Sequence, residues 1–314
     1  MPEATRARRS TLAVPGSSPK MLAKAAGLPA DEVFLDLEDS VAPGAKAEAR
    51  ANIVRALEEG DWGGKVVVLR INAVDTPWCH LDVIDVVGPA GARLDCVMVP
   101  KVQSTHDVTF VANLLRMVEK TAGHERPLGI EAQIESARGL RAIHAIAHAS
   151  ERLETLILGP GDMAASLGAP MTTVGGMAPG YPGDPWHWVR STILVAARDA
   201  GLQAIDGPYG LIRDPDGLRE SALAAYALGY DGKWAIHPGQ IETINEVFTP
   251  EQEAYDRAEA ILEAYEHSTT VDAQGAVMFG DEMIDAASRQ MSERLARRGR
   301  AAGLEPQKRW ADFA

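Results

Sequence analysis

Short apolar runs alternate with longer amphipathic segments along most of the chain. The short runs are rich in β-branched residues, and the longer segments repeat their apolar positions with the spacing of a helix. This alternation predicts βα units that form a parallel sheet. The predicted strands are STLAV at 10–14, VFLDL at 33–37, KVVVLRI at 65–71, DCVMVP at 95–100, LGIEAQI at 128–134, TLILG at 155–159, QAIDG at 203–207 and KWAIH at 233–237.

The segments between these strands carry helix start and stop signals in the right order. Several begin with Ser, Pro or Asp and end on Gly, as in SPKMLAKAAG at 18–27 and PDGLRESALAAYALG at 215–229. Eight strands alternating with helices predict a (β/α)8 TIM barrel of the α/β class over roughly residues 9–248. A doubly wound sheet is the alternative, but that fold would leave some of the eight predicted strands unassigned.

The chain after residue 248 departs from this alternation. Residues 249–268 have the pattern of an amphipathic helix, and a glycine-punctuated segment with a basic helix follows. We therefore expect a barrel catalytic domain at 1–248 and a C-terminal helix, lid segment and tail at 249–314. The pattern alone fits an active-site cover or an interface arm equally well.

The amino-acid composition argues against some classes of binding partner. The chain has 314 residues with 46% hydrophobic and 24% charged residues, which is the range of ordinary globular proteins. Its formal net charge of −13 argues against nucleic acids and acidic membranes as partners. Cys79 and Cys96 form no CxxC motif, and the sequence shows no signal-peptide pattern. We therefore expect a cytoplasmic protein.

Nearly every predicted strand ends in, or is followed at once by, a chemically capable side chain. In a TIM barrel the carboxyl ends of the strands and the loops after them form the active site. We therefore expect these side chains to meet at one face of the barrel. They are Asp36, Glu38, Arg70, Lys101, Glu135, Asp162, Asp206 and His237.

Glu135 and Asp162 follow consecutive strands and are therefore expected to be neighbours. Two carboxylates suit Mg²⁺, which completes its octahedron with water and substrate. Asp36, Glu38 and Asp39 would then hold the water molecules on the metal. Each acid taken alone fits a salt bridge or a helix cap better. The cluster favours a cation, because several uncompensated acids in one barrel mouth would repel each other.

Arg70 follows its strand close to these acids. Its fork of donors fits a carboxylate or a developing oxyanion, although a buried ion pair with Asp36 or Glu38 explains it as well. Gly159 and Gly161 precede a predicted helix start, where free backbone N–H groups favour an anion, although glycine before a helix is usually just a turn. His237 alone is more typical of a core residue, and we expect it to contact substrate at most.

The motifs together resemble the HpcH/HpaI aldolase superfamily in its citrate lyase β-subunit-like branch. The resemblance covers about residues 9–290. Within that branch, the stretch from 168 to 184 and the motifs after it are more similar to malyl-CoA lyases than to the shorter citrate-lyase-like proteins. The motifs are RSTLAVPGSSPKMLAKA, VFLDLEDSVAPGAKAEAR, VLRINAVDTPW, QIESARGL, GPGDMAASLG, IDGPYG and GKWAIHPGQI.

This resemblance implies an enzyme that uses Mg²⁺, with Mn²⁺ as a possible substitute, and a coenzyme A thioester. It implies Glu135 and Asp162 as metal ligands, Arg70 as the group that binds the reacting oxygen, and Asp285 in DEMIDAA as an acid/base supplied by a neighbouring subunit. Relatives form trimers or hexamers. Ser18 stands where many relatives carry an Arg that contacts the CoA phosphates, which leaves Lys20, Lys24 and Arg9 to supply charge. The expected substrate and CoA contacts are Ser18, Lys20, Lys24, Gly161, Ile236 and His237.

The expected reaction is reversible cleavage of a 3-hydroxyacyl-CoA, such as malyl-CoA or β-methylmalyl-CoA, to glyoxylate and acetyl-CoA or propionyl-CoA. Asp36 and Glu38 are expected to assist Arg70 and the metal. Alternatives are a malyl-CoA thioesterase, a citramalyl-CoA lyase that releases pyruvate, a CoA-independent class II aldolase and a non-catalytic oligomeric scaffold. The sequence does not choose among the acyl groups, since one methyl group changes binding by only about 1–3 kcal/mol.

Overall fold

A computed structural model describes residues 6–171, 173–176, 180, 182–271 and 273–313. The chain forms two compact units. One is Arg8–Asn245, and the other is built mainly from Glu246–Ala314.

The first unit contains a closed barrel of eight parallel strands in sequence order, as the sequence predicts. Each strand pairs with the next, and β1 also pairs with β8. The strands are β1 (Ser10–Pro15), β2 (Glu32–Asp36), β3 (Val66–Arg70), β4 (Cys96–Val99), β5 (Gly129–Ile134), β6 (Leu153–Leu158), β7 (Gln203–Asp206) and β8 (Gly232–Ala235).

Helices connect the strands. They are α1 (Pro19–Ala26), α2 (Lys46–Glu59), α3 (Cys79–Asp82), α4 (Gly88–Ala90), α5 (Thr105–Ala122), α6 (Ala137–Ala147), α7 (Pro160–Leu167), α8 (His187–Asp199), α9 (Pro215–Leu228) and α10 (Ile241–Phe248). Local signals set their ends. The Asp214 carboxylate caps α9 by accepting a hydrogen bond from the Gly217 N–H at 3.0 Å. Gly123 ends α5 at a φ of 74°, which glycine adopts without steric cost.

Side chains from six of the strands fill the barrel interior. This cluster contains Phe34, Val66, Val68, Cys96, Met98, Ile157, Ile205 and Trp234. The rings of Phe34 and Trp234 contact each other with 4.9 Å between their centroids. The interior is therefore a packed core, and the carboxyl ends of the strands form the face at which the active sites of this fold lie.

The second unit contains α11 (Gln252–Thr270), β9 (Val277–Phe279), β10 (Glu282–Ile284) and α12 (Ala286–Ala301). β9 and β10 form an antiparallel hairpin, which the sequence analysis did not predict within the lid segment. Gly280 turns this hairpin at a φ of 58°. Phe279 and Ile284 anchor it by packing on Ile261 of α11. Among the residues that the structure describes, no helix combines the length and apolar composition needed to cross a membrane.

Candidate active site

Arg70 and Asp36 form a bidentate ion pair at the carboxyl ends of β3 and β2. The two residues lie opposite each other in the strand register. Arg70 Nε donates to Asp36 Oδ1 and Arg70 Nη2 donates to Asp36 Oδ2, both at 2.7 Å. Burial opposes the charge on Asp36, but Arg70 outweighs it and holds the pKa of Asp36 below its usual value. This ion pair fixes the guanidinium in one orientation.

Two aromatic rings further restrain Arg70. The guanidinium carbon lies 5.2 Å from the ring centroid of Phe34 and 5.4 Å from that of Trp234. Burial disfavours the cation, yet Asp36 and Glu38 raise the pKa of Arg70 above its ordinary value. Arg70 is therefore a permanent and rigid cation, and Asp36 leaves part of its five N–H donors for a ligand.

Glu135 follows β5 and is held by two neighbours. The Lys101 N–H donates to Glu135 Oε1 at 2.6 Å, and Gln133 Nε2 donates to Glu135 Oε2. Gly159 leaves the space that this carboxylate needs, since a Cβ at residue 159 would lie 2.2 Å from Glu135 Oε2. Gly159 therefore has a steric role that the sequence analysis did not identify.

Glu135 and Asp162 lie close enough for their charges to interact. Burial, followed by the charges of Asp162 and Glu38, raises the pKa of Glu135 to about 8. Asp162 is exposed in the first turn of α7. The raised pKa means that the fold does not fully compensate the charge of ionised Glu135, and a divalent cation between these carboxylates would do so.

The donor set suits magnesium. Within the described residues, no group of three or more His, Cys, Asp or Glu side chains is arranged to hold a metal ion. A cation here would take two protein carboxylates and complete its shell with water or substrate, as Mg²⁺ does. Mn²⁺ accepts the same oxygen ligands.

Glu38 is 4% exposed and lies between two cations. Glu38 Oε2 is 3.4 Å from Arg70 Nη1, and Glu38 Oε1 accepts a hydrogen bond from Lys101 Nζ. Asp39 also contacts Lys101, with 3.2 Å between Lys101 Nζ and Asp39 Oδ1. The structure therefore brings these strand-end groups together, as the sequence predicts. Asp36 and Glu38 were expected to hold water molecules on the metal, but they contact Arg70 and Lys101 directly.

Several supporting residues have no obvious sequence signal. Lys46 Nζ donates to the carbonyls of Leu37 and Glu38 at 2.8 and 3.0 Å. Asn72 Nδ2 donates to the Leu37 carbonyl at 3.0 Å, and Asp82 accepts from the Asn72 N–H at 2.8 Å. These contacts hold the loop that carries Glu38. The loops after β2 and β3 also line a cleft of about 330 Å³ that reaches Glu38 and Lys101.

Most of the residues expected to contact CoA follow β1 and β8, which are adjacent. Gly161 is the exception, since it lies in the first turn of α7 after β6. Ser18 caps α1, and Lys20 and Lys24 of that helix are exposed. His237 is exposed and accepts from the Gly239 N–H at 3.1 Å, and Ile236 is 37% exposed. The contacts to CoA stay a prediction, and the two loops lie at one edge of the barrel mouth.

The structure corrects two other expectations, that Arg9 supplies charge for CoA and that Asp206 belongs to the active site. Arg9 precedes β1 at the opposite end of the barrel and pairs with Asp31, with 2.8 Å between Arg9 Nε and Asp31 Oδ2, so it does not join Lys20 and Lys24. Asp206 is fully enclosed by a structural ion pair, in which Arg190 Nε donates to Asp206 Oδ1 at 3.0 Å and Lys233 also contacts Asp206.

Asp285 belongs to the second unit, where it begins α12. Its Oδ1 accepts from the N–H groups of Ala287 and Ser288 at 2.9 and 3.0 Å. The hydrogen bond from the Ser288 N–H, with others, lowers the pKa of Asp285. Asp285 is therefore an exposed carboxylate at neutral pH, and its role as an acid/base stays a prediction.

A family model described as HpcH/HpaI aldolase/citrate lyase matches residues 9–238, a range that includes the whole barrel. The chain belongs to this family. The resemblance read from the motifs is thereby confirmed.

Individual relatives fit this assignment. The chain is 42% identical over 305 residues to L-malyl-CoA/beta-methylmalyl-CoA lyase of Cereibacter sphaeroides, covering 94% of this chain and 96% of that protein. It is 35% identical to a (3S)-malyl-CoA thioesterase of the same organism, covering 83% and 84% of the two chains. The structure of CitE from Mycobacterium tuberculosis in complex with magnesium, acetoacetate and coenzyme A is 31% identical, with a TM-score of 0.69 over 92% of this chain and 97% of that chain.

Proposed function

We propose that this protein is a Mg²⁺-dependent carbon–carbon lyase that reversibly cleaves a 3-hydroxyacyl-CoA. Malyl-CoA and β-methylmalyl-CoA are the proposed substrates, and glyoxylate with acetyl-CoA or propionyl-CoA are the products. The rigid Arg70–Asp36 pair beside the Glu135 and Asp162 carboxylates is the observation that carries this proposal. The relative at 42% identity, named for malyl-CoA and β-methylmalyl-CoA, supports the choice of substrate.

Glu135 and Asp162 would hold the metal. Bound Mg²⁺ would orient the hydroxy acid end of the substrate and polarise its oxygens. Mn²⁺ would serve through the same ligands. The bound metal described for CitE of Mycobacterium tuberculosis is magnesium, which supports this assignment.

Arg70 stabilises the charge that forms during cleavage. When the substrate hydroxyl loses its proton, the bond between the hydroxyl-bearing carbon and the acyl α-carbon breaks, and its electron pair passes to the thioester as an enolate. The outer N–H groups of Arg70 would bind the enolate oxygen. Because Asp36 and two rings fix the guanidinium, these donors need no reorganisation during the reaction.

Asp285 of a second copy would complete the reaction. In our proposal residues 1–248 act as the catalytic domain, and the 249–314 segment covers the site of a neighbouring subunit in a trimer or hexamer. Asp285 is a carboxylate in the free chain, so it would first take up the proton that the substrate hydroxyl releases and would then, in its acid form, give a proton to the enolate carbon. In the synthetic direction its carboxylate would remove the same proton. Closure of this lid would exclude water.

The thioester would enter beside β1 and β8. The backbone at Ser18 and Gly161 and the side chains of Lys20 and Lys24 would meet the CoA phosphates, and Ile236 and His237 would line the path. The two exposed lysines give this edge a positive charge in a chain of net charge −13. The cytoplasm is the proposed location, since CoA thioesters occur in reducing compartments and Cys79 and Cys96 are both thiols.

A thioesterase is the second candidate, because a relative at 35% identity carries that name. Water would attack the acyl carbon, and free malate would form instead of glyoxylate. Purified protein with Mg²⁺ and a panel of CoA thioesters, with products identified by mass, separates the two. We expect glyoxylate and acetyl-CoA or propionyl-CoA, and about 100-fold less product with Arg70→Ala. Malate as the main product would overturn the lyase proposal.

A further inference from the structure

Lys101 lies two residues beyond β4, next to the acids of the site, and the reaction described above gives it no role. Its backbone has a φ of 52°, in the left-handed region that a residue with a side chain seldom adopts. Glycine would fit this conformation with less strain, so a lysine here calls for an explanation from its contacts.

The backbone N–H groups of Lys101 and of the residue after it both donate hydrogen bonds to residues at the carboxyl end of β5. The Lys101 N–H donates to Glu135 Oε1 at 2.6 Å, and the Val102 N–H donates to the Gln133 carbonyl at 3.1 Å. These two bonds fix the starting point of the side chain. The ammonium then reaches back toward β2, where Glu38 Oε1 and Asp39 accept from it.

Glu38 is the acid that competes for Arg70. Its Oε1 is bound by Lys101, and its Oε2 accepts from the Asp39 N–H at 3.2 Å. Glu38 Oε2 lies 3.4 Å from Arg70 Nη1, which is longer than a good hydrogen bond between charged groups. The Asp36 carboxylate already occupies Nε and Nη2 of Arg70. Without Lys101 to bind Glu38, the Glu38 carboxylate would therefore accept a hydrogen bond from Arg70 Nη1.

We propose that Lys101 is a positioning residue whose ammonium draws Glu38 away from Arg70 and so keeps the Nη1 donors of Arg70 available to substrate. This inference rests on the proposed function, because those donors matter only if Arg70 binds the enolate oxygen. It assigns Lys101 no contact with the reacting atoms.

Crystal structures of the parent and of Lys101→Met test the contact without turnover. We expect the Glu38 carboxylate of the variant to lie about 3 Å from Arg70 Nη1, a normal distance for a charge-assisted hydrogen bond. Glu38 remaining at its parental position would overturn the proposal. A parent with no lyase activity would refute the proposed function alone, since the crystal structures still decide where Glu38 lies.

Kinetics with matched variants provide the second test. Lys101→Met should lower kcat about tenfold or more with KM within about twofold, because a transition-state donor is lost and ground-state binding is kept. Lys101→Arg should retain kcat within about threefold, since it restores the cation. Lys120→Met, at an exposed position of α5, controls for the change in net charge.

A double-mutant cycle identifies Glu38 as the cause. In a Glu38→Gln background the competing carboxylate is gone, so Lys101→Met should change kcat by less than about threefold. An equal loss in both backgrounds would contradict the proposal. So would a KM that rises as much as kcat falls.

Discussion

At the scale of single residues, the geometry of Glu135 depends on a neighbour with no side chain. A methyl group at residue 159 would lie 2.2 Å from Glu135 Oε2 and 2.6 Å from Glu135 Cβ, so one of them has to move. Gly159 also precedes α7, which carries Asp162. One glycine therefore influences both proposed metal ligands.

We expect Gly159→Ala to displace Glu135 and weaken metal binding. The Mg²⁺ concentration for half-maximal activity should rise about tenfold or more, and overpacking of the core should cost about 1–3 kcal/mol of stability. Titration of Mg²⁺ in the activity assay, with thermal unfolding alongside, measures both. Gly88→Ala is the control, because nothing lies within 4 Å of its added methyl. An unchanged Mg²⁺ requirement would refute the steric role of Gly159.

The positions of the charged residues at strand ends could be predicted from sequence, but for Arg70 the sequence left Asp36 and Glu38 open as partners. Asp36 and Arg70 end apolar strands and Glu135 directly follows one, so topology alone brings them to one face. That Asp36 pairs with Arg70 while Glu38 pairs with Lys101 depends on strand register and on the left-handed turn at Lys101. A single sequence contains no direct signal for either.

At the scale of secondary-structure elements, the barrel contains a second charged cluster near the amino-terminal ends of its strands. Arg8 Nε donates to Glu32 of β2 at 2.7 Å and to Glu131 of β5 at 3.0 Å, and Arg8 Nη2 donates to Glu154 of β6 at 2.7 Å. Burial and then the charge of Glu32 raise the pKa of Glu131 well above its ordinary value. Glu131 therefore binds a proton more readily than an ordinary carboxylate, because ionising it would place a second buried negative charge beside Glu32.

This cluster predicts a pH dependence of stability. The unfolded chain releases the proton of Glu131 near the ordinary pKa of 4.5, whereas the folded chain keeps it to a higher pH. The free energy of unfolding therefore falls as the pH rises from 4.5 through the raised pKa of Glu131. Glu131→Gln keeps a neutral side chain at all pH values. Its melting temperature should exceed that of the parent by about 2 °C or more near pH 9, and by less near pH 6.

Thermal unfolding of both proteins between these pH values makes the measurement. Glu58→Gln, at an exposed position of α2, is the control for loss of a carboxylate. A Glu131→Gln variant that is less stable than the parent at alkaline pH would show that Glu131 is needed as an anion.

The regular elements were predictable because their signals are local. Each strand is a short apolar run, and helices such as α9 carry a cap at one end and a glycine at the other. The β9–β10 hairpin was not predicted because its strands have three residues each and expose several apolar side chains. Such short strands lack the alternation that a sequence pattern needs.

At the scale of the whole molecule, the proposal requires two copies of the chain to form one site. Arg70 would come from one copy and Asp285 from the next. A closed ring of identical subunits supplies this arrangement at every interface.

Mixing two inactive variants tests this sharing. Arg70→Ala and Asp285→Asn should each lose most activity, and mixed oligomers should recover about a quarter to a third of the parental rate. About one site in three is intact in a mixed trimer, and about one in four in a mixed hexamer. Co-expression followed by purification through two different tags provides the mixed oligomers. Mixed oligomers as inactive as either parent variant would contradict a site shared between subunits.

The central claim is that Glu135 and Asp162 bind a divalent cation beside Arg70. Calorimetric titration of the substrate-free protein with Mg²⁺ tests it directly. We expect the parent to bind one Mg²⁺ per chain and Asp61→Asn, at an exposed position, to bind equally well. Glu135→Gln and Asp162→Asn should each weaken the affinity at least about tenfold, because each removes one of two protein ligands. Equal affinity in all four proteins would contradict the account.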